Sequence, residues 1–79
     1  MISALELKER MNAQPFKPFR ICISDGKTYD ITHHDIMLVK RNAVLIGIEL
    51  DSNSIAERFM ECALLHITRI EDISTAQAA

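Results

Sequence analysis

The stretch from Phe16 to Ile31 constrains the fold of this chain most, because it carries the pattern of a β-hairpin. Apolar side chains alternate with others along its first arm at Phe19, Ile21 and Ile23, which is the period of a strand with one buried face. Pro18 cannot donate a backbone hydrogen bond to a sheet, so it marks the lead-in to this arm. We therefore predict a strand that starts near Phe19.

The register of this hairpin follows from the length of its loop. A two-residue loop at Asp25 and Gly26 would mix apolar and polar residues on one face of the sheet. A three-residue loop at 24–26, with Gly26 in the left-handed conformation of a bulge, sorts both faces at once. The pairs that it makes are Phe19 with Ile31, Arg20 with Asp30, and Ile21 with Tyr29. We predict the three-residue loop.

The length of 79 residues allows one domain, because a second core could not be supported at this size. We assign residues 1–73 to a single domain and predict that 74–79 form a disordered tail. The apolar fraction of 48% and the charged fraction of 25% are typical of a globular protein. Domains this small are marginally stable and often bury a sheet edge by self-association, so we expect a homo-oligomer.

Net charge and hydropathy limit the binding partners and the cellular location that we expect for this protein. The net charge of −2 does not favour RNA or DNA binding by bulk neutralisation of phosphates. No apolar run reaches the roughly 18 residues that span a bilayer, and the N-terminus lacks a secretory pattern. We expect a cytoplasmic protein without a membrane contact. Cys22 and Cys62 lack the spacing of metal ligands, and we expect free, buried thiols.

The remaining elements follow from caps and alternation. Ser3 and Glu6 form a capping box, so a helix should begin at Ala4 and end near Asn12 or Ala13. The further predicted strands are Ile36–Lys40, Ala43–Leu50, Arg58–Cys62 and Ile67–Glu71, with a single helical turn at 63–66. Residues 51–57 are predicted to be a mobile loop.

The strand Ala43–Leu50 is apolar on both faces, so we expect it to be central or covered on both sides, with a bend or bulge at Gly47. The fold class predicted is α+β. It consists of a short N-terminal helix followed by a strongly bent five- to six-stranded antiparallel sheet or small barrel.

This order of elements resembles the Sm-like, SH3-like small barrels of bacterial RNA chaperones. Leu65-His66-Ile67-Thr68 is similar to the segment in which that family places a histidine near its RNA-binding pore. Three other features resemble a group of small uncharacterised bacterial proteins: Pro15-Phe16 with Pro18-Phe19, Asp25-Gly26, and the closing Leu65–Ile70. The first resemblance implies RNA binding by a ring, and the second implies no known activity.

His33, His34 and Asp35 form the only cluster of potential metal ligands in the sequence. Adjacent side chains on an extended segment point apart, so we favour a solvated loop over a metal site. No serine or cysteine lies in a recognisable nucleophile turn, and there is no glycine-rich phosphate loop. We therefore expect neither an enzyme nor a cofactor.

The candidate residues for binding RNA or a protein partner are Lys40, Arg41, His66 and Tyr29. Tyr29 and Phe59 could stack on bases, although we favour core positions for both aromatic rings. The preferred function is a noncatalytic interaction module that self-associates and binds a protein partner. The alternative is an Sm-like RNA binder, a ring with His66, Lys40 and Arg41 on one face.

Overall fold

Helix α1 (Ala4–Met11) begins where the capping box predicts. The Ser3 hydroxyl accepts a hydrogen bond from the Glu6 backbone N–H at 3.0 Å, which satisfies one of the free donors of the first turn. The helix buries Leu7 and Met11 and ends at the C-cap residue Asn12. Its narrow apolar face needs the sheets to hold it, since a helix this short is unstable alone.

The structure, a computed structural model, describes residues 2–53 and 55–73. The tail predicted at 74–79 lies outside the described residues. No helix in the described part of the chain is long and apolar enough to cross a bilayer.

Strands β1 (Phe19–Ile23) and β2 (Thr28–Ile31) form the predicted hairpin, and the predicted register is confirmed. Gly26 has a φ of 93°, in the left-handed region, and its N–H donates to the Ile23 carbonyl at 2.9 Å. The Asp25 carboxylate accepts the backbone N–H of Lys27 at 2.9 Å. Across the sheet, Arg20 Nε donates to Asp30 Oδ1 at 2.7 Å.

The later elements match the prediction in number but not in every boundary. They are β3 (Met37–Val39), β4 (Ala43–Leu50), β5 (Ala56–Ala63), a 3₁₀ turn (Leu64–His66) and β6 (Ile67–Asp72). The predicted start of the fifth strand at Arg58 is wrong, because the end of β4 extends the pairing and places Leu50 opposite Ala56. The loop is shorter than 51–57 for the same reason. The third strand is shorter than predicted at both ends.

The six strands form two three-stranded antiparallel sheets. In the first sheet the order is β2-β1-β6, and in the second sheet it is β3-β4-β5. The α+β class is confirmed, and so is the central position of β4.

One hydrophobic core lies between α1 and the inner faces of both sheets. Its fully buried side chains are Phe19, Leu7, Ile21, Ile31, Ile46 and Val44. Each contributes about 1.5 to 3 kcal/mol by leaving water. Since Val44 and Ile46 of β4 face this core, Leu45 between them lies on the outer face of the second sheet.

Candidate functional site

Two of the four predicted binding residues, Tyr29 and His66, line one cleft. This turn cleft has a volume of about 330 Å³ and lies between the hairpin turn and the end of β5. Its lining residues are Ile23, Ser24, Asp25, Tyr29, Met60, Glu61, Cys62, Ala63 and His66. The 3₁₀ turn carries His66 there, and β2 carries Tyr29.

The polar groups of the turn cleft contact one another. The Tyr29 hydroxyl lies 3.2 Å from Met60 Sδ, to which it donates. His66 Nδ1 lies 3.4 Å from Ser24 Oγ, and the His66 carbonyl accepts the Ser24 backbone N–H at 2.9 Å. The backbone bond therefore fixes the 3₁₀ turn against the hairpin, while the longer side-chain contact is weak.

The Cys62 thiol in this cleft is held in its protonated form. Burial raises its pKa, and the negative charge of Asp25 raises the pKa further. A protonated thiol is a poor nucleophile and a poor metal ligand. The prediction of free, buried cysteines is confirmed for Cys62 and for Cys22.

The other two predicted residues, Lys40 and Arg41, do not line the turn cleft. Lys40 Nζ donates to Glu61 Oε2 at 3.1 Å, so a neighbouring carboxylate balances its charge. Both residues line a separate shallow depression together with Leu5 and Lys8 of α1. The four residues thus divide between two places, with two basic groups in one and two ring side chains in the other.

His33, His34 and Asp35 lie exposed in the connection between β2 and β3. His33 Nδ1 lies 2.9 Å from the hydroxyl of Thr32, and the His34 ring meets the Phe16 ring edge-on at 6.5 Å between centroids. Within residues 2–53 and 55–73, no three histidine, cysteine or acidic side chains are grouped to hold a metal ion.

Sequence reasoning missed an apolar patch on the outer face of the second sheet. This outer patch consists of Leu38, Leu45 and Phe59, where Leu38 lies opposite Leu45 across β3 and β4. Phe59 is 62% exposed and Leu38 is 57% exposed. The preference for a core position of Phe59 is therefore wrong, whereas Tyr29 is half-buried against the core.

Gly47 accounts for the position of the Phe59 ring. Phe59 lies directly opposite Gly47 on the outer face, and the absence of a side chain at Gly47 leaves room for the ring. The three side chains of the outer patch also line a groove of about 440 Å³ that runs to Lys8 and Met11 of α1. Large contiguous apolar patches on protein surfaces mark interaction sites, and the outer patch is therefore a candidate for one.

Strand β5 offers an open edge beside the outer patch. The Gly47 N–H donates to the Ile36 carbonyl at 2.7 Å, so the backbone of Gly47 points away from β5. In an antiparallel ladder its partner Phe59 then turns its own N–H and C=O away from β4. The same holds for Glu57 and Glu61 by alternation, and in the described part of the chain β5 pairs with β4 alone.

The comparisons with known proteins identify no relative. No family model matches the chain, and no curated protein or solved structure matches it. The two resemblances drawn from sequence motifs therefore stay predictions, and the function has to be argued from the surface itself.

Proposed function

We propose that this protein is a noncatalytic interaction module that self-associates and binds a protein partner. The observation that carries the proposal is the outer patch next to the open edge of β5. Unpaired strand edges are templates for pairing with another chain, and apolar side chains beside such an edge add the energy of burial.

The composition of the outer patch favours a protein contact. The outer patch contains one large aromatic side chain, Phe59, together with two leucines. Aromatic side chains are enriched at the centres of protein interfaces and contribute much of their binding energy. Burying them would recover about 25 cal/mol for each Å² of apolar surface removed from water. The charged side chains of Glu57 and Glu61 along the edge would form part of a polar rim.

The groups in the turn cleft favour a noncatalytic role. The Cys62 thiol is kept protonated, and the Asp25 carboxylate bonds to the hairpin backbone instead of orienting the His66 ring. Within residues 2–53 and 55–73 no carboxylate orients the His66 ring, so Ser24 and His66, 3.4 Å apart, lack there the arrangement that activates a nucleophile.

RNA binding is the alternative, and one observation favours it. Tyr29 and His66 share the turn cleft, where their rings could stack on unpaired bases. However, Asp25 and Glu61 place negative charge in the same cleft, and Lys40 is balanced by Glu61. The Sm-like alternative also requires that both sheets close into one barrel and that several copies of this barrel assemble into a ring. We therefore rank it second.

Native mass spectrometry at low salt, on protein purified without nuclease, tests the two functions in one spectrum. The proposal predicts a discrete oligomer free of nucleic acid, with copurifying protein as the next subject of search. A monomer at every concentration contradicts self-association. A ring that carries RNA supports the alternative instead.

A further inference from the structure

The open edge of β5 restricts how two copies of it can pair. Identical strands that meet across a twofold axis run antiparallel, with one residue at the centre of the contact. Alternate residues of the strand direct their N–H and C=O groups out of the edge, and each of them must lie opposite such a residue of the second copy. The twofold axis therefore passes between one residue and its own copy, and not between two neighbouring residues. The candidates along the charged middle of the strand are the five positions 57–61.

Charge excludes four of these five centres. Centres at Glu57, Arg58 or Glu61 would place each of these charged residues opposite its own copy. A centre at Phe59 would place Glu57 opposite Glu61 of the second copy. Directly opposed like charges destabilise a sheet, so these four registers are disfavoured.

The register centred on Met60 contains no such repulsion. Its pairs between the copies are Phe59 with Glu61, Arg58 with Cys62, and Glu57 with Ala63. The Phe59 ring then lies along the methylene groups of a glutamate, and the outer patches of both copies lie side by side on one continuous face. No proline interrupts the edge.

We propose that the self-association suggested above is an isologous dimer in which two β5 edges pair around Met60. The second sheets of the two copies then form one six-stranded sheet with the order β3-β4-β5-β5-β4-β3. This inference rests on the proposed function and names its interface.

The inner face of β5 adds a charge contact to this dimer. One side of the strand carries Arg58, Met60 and Cys62, which occupy every second position. Met60 and Cys62 also line the turn cleft. The guanidinium of Arg58 from the second copy, opposite Cys62, comes beside the cleft that contains the Asp25 carboxylate. Within its own chain, Arg58 donates to Glu49 at 2.8 Å through one of the five N–H groups that a guanidinium carries.

Disulfide trapping tests the register directly. The two Met60 residues form a non-hydrogen-bonded pair, whose Cα atoms lie about 4.5 Å apart, within the range that a disulfide spans. Under a mild oxidant, Met60→Cys should give a covalent dimer on a non-reducing gel, whereas Phe59→Cys should give little. The wild-type protein is the control for the buried Cys22 and Cys62. Trapping of Phe59→Cys but not of Met60→Cys overturns the register.

A second pair of variants tests the interface without a new thiol. Arg58→Ala and Glu49→Ala both remove the same ion pair within the chain, but only Arg58→Ala removes the contact between copies. We expect Arg58→Ala to raise the dimer dissociation constant about tenfold, because the twofold axis repeats the contact, and Glu49→Ala to leave it nearly unchanged.

Sedimentation of the wild-type protein separates the two levels of failure. The wild type can be a dimer while Met60→Cys forms no disulfide between copies and Arg58→Ala leaves the dissociation constant unchanged. This result overturns the interface and leaves self-association standing. A wild-type protein that stays monomeric at high concentration overturns both.

Discussion

The ring of Phe59 lies against the backbone of Gly47 on the outer face of the second sheet. A Cβ atom at Gly47 would come 3.4 Å from the ring carbon Cε1 and 2.9 Å from the Cβ atom of Ala56. The glycine is therefore required by close approach between neighbouring strands.

Gly47→Ala should destabilise the protein, because Ala56 has no flexible side chain that could move away from the added methyl group. We expect the free energy of unfolding in urea to fall by about 1 to 3 kcal/mol, as for other overpacked sites. An unchanged unfolding midpoint would contradict the close contact.

Gly26 is required for a different reason, its backbone conformation. Its φ is 93°, while among the described residues no atom beyond Gly26 itself and its two chain neighbours lies within 4 Å of the position that a Cβ would take. Gly26→Ala should cost about 1 to 2 kcal/mol through left-handed strain alone, and Gly26→Asn should cost less, since asparagine tolerates this region better. Equal stability of both variants and the wild type, measured by urea unfolding, would show that the turn does not need this conformation.

Asp72 links stability to pH at the end of β6. The hydrogen bond and the positive charge of Arg10, at 2.8 Å, hold the pKa of Asp72 below its ordinary value of 3.8. Because the folded state has the lower pKa, the ion pair stabilises the protein above pH 3.8, and this contribution is lost as the pH falls through the folded-state pKa.

Asp72→Asn should therefore be less stable than the wild type at neutral pH. The difference should shrink below pH 3.8, and it should also shrink in about 1 M salt, where exposed charges are screened. Urea unfolding at several pH values measures it. A difference that stays constant across this range would mean that the loss comes from packing and not from charge.

The cysteines should react slowly with thiol reagents in the folded protein. Cys22 and Cys62 are both buried, and burial followed by the charge of Asp25 raises the pKa of Cys62. We expect both thiols to react rapidly only after unfolding in urea. The reaction is followed by the absorbance of the coloured thiolate that a chromogenic disulfide reagent releases. Rapid labelling of Cys62 in the native protein would contradict the closed position of its thiol.

The hairpin could be predicted to its register because one choice of loop sorted both faces of two strands. The start of β5 could not, since Ala56 joins the strand through its partner Leu50, which lies across a loop whose length the sequence does not specify. The exposure of Phe59 depends likewise on its position opposite Gly47, a relation between strands. The division of the candidate residues between two surfaces could not be predicted either. Tyr29 and His66 line one cleft only through the pairing of β1 with β6 and the position of β5, which are again relations between strands.

The outer patch and the β5 edge are proposed to hold copies of this protein together. Sedimentation velocity over a range of concentrations tests this interface most directly, on the wild type, Phe59→Glu and Leu5→Glu. In the register centred on Met60, Phe59→Glu places a negative charge opposite Glu61 of the second copy, and the two charges repel each other. Leu5 is the matched control because it is 68% exposed, compared with 62% for Phe59, but lies on α1. We predict that the wild type and Leu5→Glu associate alike while Phe59→Glu stays monomeric. Association of Phe59→Glu as strong as that of the wild type would contradict the account.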